Sequence, residues 1–321
     1  MTSAVVFGGA GFIGTHLLRD LKARGYHPLV SVDIAEPKRP VEGVEYRCHD
    51  LTQPLDPAAF PRFDEAFNLA AVHRTPGHEP HEYYLANLCG ATNIVRFCRE
   101  TGIERLVFTS SIAVYGPGED LKDESTPPTP TSDYGRSKLL AEGVHREWQA
   151  GAEARRLVIV RPAVVFGAGE GGNYTRLAQA LRRGIFVYPG RRDTIKSGGY
   201  VGELVRTMRF ALDRDEPVIL YNFCYPDAYT IEDICRTFES VAGFKPPRGL
   251  VPLGVMNAAA LPFEILNKAG LRNGIDRERI AKLVYSTRIH PGWLTQSGYR
   301  FESDLASALA DWREQSHSSF L

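Results

Sequence analysis

Tyr134 and Lys138 stand four residues apart in the run DYGRSK, residues 133–138. On a helix, positions i and i+4 share one face. The pair would therefore be a phenol and an ammonium pointing the same way. A free tyrosine titrates at about pH 10, too high for a useful base. A neighbouring ammonium favours the phenolate and lowers that value. Such a pair suits general acid–base work on an alcohol or a ketone. A solvated helix surface is the bland alternative, and these two residues alone do not decide.

A second run bears on the choice. VVFGGAGFIGTHLL places Gly8, Gly11 and Gly14 between a strand and a helix. That spacing serves a tight turn, close approach of backbone to a pyrophosphate, and close helix–strand packing. The helix N-terminus adds free N–H groups and partial positive charge. Asp33 ends the next strand, where a carboxylate hydrogen-bonds a ribose diol and repels a 2′-phosphate. No Arg directly follows Asp33. NAD is therefore expected over NADP. The alternative is a structural glycine turn with a solvated Asp33.

These residues need elements to hold them. Short strands (AVVFGG, HPLVSVD, VEYRCHDL, EAFNLAA, RLVFTSS, RRLVIVRPAVVFG) alternate with helical patterns, including one at about 82–101 and one opening at Tyr134. This alternation implies right-handed crossovers and a doubly wound, Rossmann-type parallel sheet of the α/β class. After Gly167 the pattern loosens, and a smaller, mostly helical C-terminal lobe is expected. The expected division is 1–165 plus about 200–225 for the NAD-binding domain. Residues 166–199 and 226–321 would form the substrate lobe. Thr230 and Asp233 have the spacing of a helix cap. The terminal SHSSFL is expected to fray.

Composition narrows the classes. The 321 residues are 43% hydrophobic, enough for a substantial core. Lys plus Arg and Asp plus Glu are both 38, for a formal net charge of +0. No global field draws nucleic acid or an anionic membrane, so an anionic ligand needs a local cluster. The five cysteines include no C-x-x-C pair, so neither a disulfide framework nor a metal site is expected. MTS leads straight into AVVFGG, with no secretory pattern and no apolar run of ~18 residues. The expected location is the cytoplasm.

Together the motifs resemble the extended short-chain dehydrogenase/reductase family, particularly its nucleotide-sugar epimerases, dehydratases and ketoreductases. They are GGAGFIG, VD at 32–33, HDL at 49–51, NLAA at 68–71, NLCGATNIV at 87–95, FTSSIAVYG at 108–116, YGRSK at 134–138 and RPAVVFG at 161–167. The resemblance implies the following roles. Gly8, Gly11 and Gly14 form the pyrophosphate turn, with backbone amides from Phe12 and Ile13. Asp33 binds the adenosine ribose, and Asp50 and Leu51 flank the adenine. Ala70 and Ala71 floor the nicotinamide half, with Asn87 orienting a segment behind it. Ser111 is the catalytic hydroxyl, Tyr134 the acid/base, and Lys138 the ribose ligand that tunes it.

Several positions keep a second reading. Asp50 could be a turn cap. Asn87 could merely cap backbone. Ser110 and Ser111 could both satisfy local carbonyls, and Ser111 is chosen for its spacing to YG in SIAVYG. His73 follows NLAA and is either a substrate contact or polar surface. Family members often pair through the helices carrying Asn87 and Tyr134, which implies a homodimer.

The reaction is narrowed by departures from the family. Dehydratases carry an Asp–Glu pair after the catalytic hydroxyl. Here Ile112 and Ala113 follow Ser111, and apolar side chains cannot run an elimination. Epimerases usually place Asn where this chain has Val164, which alters the grip on a sugar nucleotide's diphosphate. Lys196 stands where the family often has a phosphate-binding Arg, with Arg191 and Arg192 nearby. A solvated basic turn is the alternative there. The resulting expectation is an NAD-dependent nucleotide-sugar epimerase working at C4 through a keto intermediate. A 4-ketoreductase, or a 3β-hydroxysteroid-type or small-alcohol dehydrogenase, is the alternative. A non-catalytic NAD scaffold would have no use for the Ser–Tyr–Lys set.

Overall fold

The computed structural model describes residues 1–73, 77–256, 258 and 284–321. The chain opens with β1 (Ala4–Phe7), buried along its whole length. A strand apolar on both faces needs cover on both, and crossover helices supply it. There follow α1 (Phe12–Ala23), β2 (Leu29–Asp33), β3 (Glu45–Cys48), β4 (Glu65–Asn68), α2 (Pro80–Tyr84), α3 (Gly90–Thr101), β5 (Arg105–Thr109), α4 (Asp133–Ala150) and β6 (Arg156–Pro162). Then come β7 (Val164–Phe166), α5 (Asn173–Arg183), β8 (Tyr188–Pro189), β9 (Gly198–Tyr200), α6 (Val201–Leu212) and β10 (Val218–Phe223). The chain ends through α7 (Ile231–Ala242), β11 (Leu250–Val251), α8 (Gly292–Gln296) and α9 (Leu305–Gln315).

The main sheet runs β10–β6–β5–β4–β1–β2–β3, all parallel. One face packs Leu17, Leu18 and Leu21 of α1 with Met208 and Leu212 of α6. The other packs Ile94 and Phe97 of α3 with Ala141 and Trp148 of α4. Helices on both faces make this a doubly wound, Rossmann-like α/β fold, as the alternation in sequence implies. β10 closes the sheet against β6, with Val218 beside Leu157 and Phe223 beside Pro162.

Two elements depart from the sequence expectation. The helix expected at about 82–101 is interrupted. A π-helical turn, Leu85–Cys89, separates α2 from α3 and carries Asn87. One extra residue per turn re-aims a side chain, and such turns gather at functional sites. The run RRLVIVRPAVVFG is also not one strand. Pro162 has no N–H for a ladder, and β7 leaves the main sheet to pair with β9, Val164 beside Gly198.

A third core lies beyond β7. It joins Phe166, Tyr174, Leu181, Phe238, Trp312 and Phe320. Thr230 and Asp233 cap α7 reciprocally, at 3.1 and 2.9 Å, as their spacing implies. The carboxyl-terminal expectation fails. Phe320 is 1% exposed, with ring centroids 5.1 Å from Trp312 and 5.5 Å from Phe238. A large aromatic that fills a core holds its segment in place, whatever the polarity of its neighbours. Among the described residues, no helix is long and apolar enough to cross a membrane.

Candidate active site

The glycine turn is built around contact too close for side chains. Gly8 has φ +83°, and a Cβ there would lie 2.7 Å from the Ala70 amide nitrogen. A Cβ on Gly14 would lie 2.6 Å from Gly9 Cα. The first turn of α1 is thereby pressed against β1 and β4. Gly11 precedes α1 without any side-chain cap, which leaves the helix N-terminus to an anion. Asp33 reaches back to this turn. Its Oδ2 accepts the Ala10 amide at 3.0 Å and its Oδ1 the Ala35 amide at 3.1 Å. The carboxylate thus stands at the rim of the turn, where a ribose would lie.

The neighbouring expectations divide. Ala70 and Ala71 are half-buried, and the Ala70 backbone lies directly beside Gly8. Asn87 is buried. Its Oδ1 accepts the Val72 amide at 2.8 Å, and its Nδ2 donates to Val72 O at 3.1 Å and Ser137 Oγ at 3.0 Å. It therefore ties the segment after Ala71 to α4. Asp50 is exposed and caps its own turn, accepting the Thr52 amide at 2.9 Å. Leu51 is half-buried, and its carbonyl accepts Asn93 Nδ2 at 2.9 Å. His73 is exposed on the segment after β4.

The chemistry sits on α4. Ser132 caps this helix, accepting the Gly135 amide at 3.1 Å. Gly135 allows a close approach, because a Cβ there would lie 2.5 Å from Ala113 O. That approach brings Tyr134 to the turn after β5, where the Ser111 side chain lies near the phenol. Ser111 Oγ also accepts the Ala113 amide at 3.1 Å. The buried Tyr83 ring packs on Tyr134, centroids 6.3 Å apart. Burial raises the Tyr134 phenol above its usual value, and Ser111 opposes the rise. The lowered phenol expected from a nearby ammonium is thus not what this site shows.

Lys138 is buried one helical turn further on. It is 2% exposed, and burial pulls it down to about 7 against the opposing charge of Glu142. Its Nζ lies 4.7 Å from the Phe108 ring centroid. Among the described residues no protein atom hydrogen-bonds that Nζ. Three donors on a buried lysine are therefore available to a ligand.

Sequence reasoning missed what lies behind this layer. Glu142 accepts Ser110 Oγ at 2.5 Å and holds Arg161 by two bonds, 2.8 and 2.6 Å. Arg161 also donates to Tyr115 Oη at 2.9 Å, and Tyr115 donates to Asn222 at 2.8 Å. All five are buried. His145 stacks on Phe108 at 4.0 Å, and burial lowers it to about 4. Helical spacing could have found Glu142, one turn beyond Lys138. Arg161 and Asn222 come from distant strands and leave no local signal.

The basic turn lies between β8 and β9. Arg191 grips Asp193 at 2.7 and 3.0 Å and Glu119 at 3.0 Å. Lys196 Nζ donates to Tyr285 O at 2.7 Å. Burial pulls Lys196 down to about 8, with Glu119 opposing and Arg191 assisting. Arg192 is exposed and lies over the Tyr188 ring at 5.2 Å. Val164 pairs beside Gly198 on β7 and is half-buried. Among the described residues no His, Cys, Asp and Glu cluster could hold a metal.

Comparison with known proteins agrees with this geometry. The NAD dependent epimerase/dehydratase family matches residues 4–224. The chain belongs to that family. It is an NAD-dependent enzyme of the extended short-chain dehydrogenase/reductase type. One relative is the N-acetyl-alpha-D-glucosaminyl-diphospho-ditrans,octacis-undecaprenol 4-epimerase of Escherichia coli O157:H7. It is 29% identical over 300 residues, covering 92% of this chain and 90% of that one. The UDP-glucose 4-epimerase of Bos taurus is 29% identical over 225 residues, 61% of this chain and 64% of that one. A crystal structure of UDP-galactose 4-epimerase superposes with TM-score 0.71 at 26% identity, covering 98% of both chains. The residues present fit the family's dinucleotide: a side-chain-free cradle at Gly8 and Gly14, an uncapped helix start, and a lysine with unused donors.

Proposed function

We propose that this chain is a sugar-diphosphate 4-epimerase, with a nucleotide sugar as substrate. The observation that carries the reading is the buried Lys138, whose Nζ has no hydrogen-bond partner among the described residues, one helical turn from Tyr134 and its neighbour Ser111, in a chain that also builds an NAD-type glycine turn.

When bound, NAD supplies a hydride acceptor that can return the hydride. The chain's own residues do the rest. Lys138 donates to the nicotinamide ribose, which orients the cofactor. Tyr134 takes the C4 hydroxyl proton and later gives it back. Ser111 donates to the same oxygen as it becomes a ketone. Preplaced donors at a developing charge are among the strongest catalytic devices. Ile112 and Ala113 leave the neighbouring carbons without acid or base, so elimination is absent. The keto sugar turns in the lobe of residues 166–199 and 226–321 and is reduced on its other face. Lys196 is the cation for the diphosphate. Arg191 is held by two carboxylates and joins only by exchanging them. The substrate's first contact near β4 is His73. Asp50 and Leu51 border the adenine.

A second carrier is favoured by one observation. The Escherichia coli relative, matched over most of both chains, is named for a sugar diphosphate on undecaprenol.

The enzyme is assigned to the cytoplasm as a homodimer. Free Cys48 and Cys89 at the surface suit a reducing compartment. Leu85 and Leu140, 48% and 50% exposed, supply apolar contacts on the π turn and α4. The test is a panel of UDP-linked and polyprenyl-diphosphate-linked hexoses incubated with enzyme and NAD. C4 epimers are expected. Net formation of reduced cofactor together with a 4-keto sugar, without epimer, would show a ketoreductase running in reverse instead. Turnover confined to apolar alcohols would overturn the sugar assignment.

A further inference from the structure

The edge of the C-terminal lobe formed by the end of α5, β8 and β11 presents cations and apolar side chains together. Residues 173–192 and 240–258 contain no Asp or Glu. The two segments lie side by side. The Lys245 stem crosses Gly184, where a Cβ would lie 2.6 Å from Lys245 Cδ. The Arg248 amide donates to Phe186 O at 2.9 Å, and the Tyr188 amide to Gly249 O at 2.8 Å. Leu250 pairs beside Tyr188.

Arg182, Arg183, Lys245 and Arg248 are exposed on this edge. Among the described residues none has a carboxylate partner, in contrast to Arg191 and Arg192. Unpaired cations on a chain of net charge +0 mark a local demand for an anion. Among them stand Ile185, Val187 and Leu250, 56%, 38% and 40% exposed, and Val255, 57% exposed, follows shortly after β11. A nucleic-acid surface has no use for such aliphatic groups. An anionic bilayer uses both, charge at the headgroups and apolar side chains at the acyl boundary.

We propose that this edge docks the enzyme on an anionic lipid surface. The docking depends on neither carrier considered for the substrate. A substrate anchored in the bilayer would benefit from it, because the same lobe carries Lys196.

The test is co-sedimentation of the full chain with vesicles of phosphatidylglycerol and phosphatidylcholine, against vesicles of phosphatidylcholine alone. Binding is expected only to the anionic vesicles and is expected to fall as salt rises. Arg183→Gln with Arg248→Gln should weaken it about 25-fold, at about fivefold per cation. Ile185→Ser with Val255→Ser should weaken it further. Epimerisation of a soluble nucleotide sugar should be unchanged in both variants. Equal binding to neutral vesicles, full retention by the Gln pair, or tighter binding to duplex DNA at the same salt would each overturn the proposal.

Discussion

Glu142 accepts the hydroxyl of Ser110 at 2.5 Å, so the two adjacent serines serve different partners. Ser110 belongs to the buried ion pair. Ser111 belongs to Tyr134. Ser111→Ala is therefore expected to lower kcat about 10²-fold. Ser110→Ala should leave kcat nearly unchanged and destabilise the fold by about 1–3 kcal/mol. Steady-state kinetics and thermal melts read the two effects separately. The reverse pattern would exchange the roles of the two hydroxyls.

Tyr134→Phe removes the proton carrier and keeps the ring packed on Tyr83. Turnover should fall by about 10³ or more. NAD affinity, read by fluorescence titration, should hardly move. A variant that still turns over substrate normally would remove Tyr134 from the mechanism.

Lys138 gives the cofactor-free enzyme a pH signature. Its folded value is about 7, below its ordinary 10.5. The unfolded chain binds more protons between those values, so stability must rise with pH there. The burden of burying the ammonium is fully present below about 7 and gone above 10.5. Melting temperature without NAD should climb across that window. Lys138→Met should flatten the climb. Parallel profiles for the two proteins would assign the effect to another group.

The Arg161–Glu142 pair is buried at both ends, side chains 4% and 3% exposed. Glu142→Ala leaves a guanidinium in the core without its partner, at about 3–5 kcal/mol. Adding Arg161→Met should recover part of that loss. Chemical denaturation of the two singles and the double measures the coupling. Strict additivity would mean the pair does not act as a unit.

Asp33 braces the glycine turn and faces the ribose. Asp33→Ala should weaken NAD about 10–100-fold, the range of a hydrogen bond to a charged group. The gap to NADP should narrow. Tighter NADP binding by the unaltered enzyme would sink the ribose assignment.

What sequence conveyed follows from range. The glycine turn, the Tyr134 helix and the alternation of strands and helices are local patterns with fixed periods. Ser111 was reachable because its turn carries it within a few residues of β5. The break in RRLVIVRPAVVFG depends on whether β9 offers a better ladder than the main sheet, a question settled across the fold. Phe320 is unreadable for the same reason, since its pocket comes from α7 and α9. The titration of Lys138 depends on packing density around one atom, and no spacing rule reports that.

β6 of the main sheet and β7, which pairs with β9, are separated by Ala163 alone. No longer linker separates the two sheets at that corner. Tilting one sheet against the other would drag on the ladder that β6 shares with β5 and β10. Divergence toward new sugars in such a scaffold is therefore channelled into side-chain exchange around a fixed angle, and grafting a foreign lobe at this corner would wreck the shared ladder.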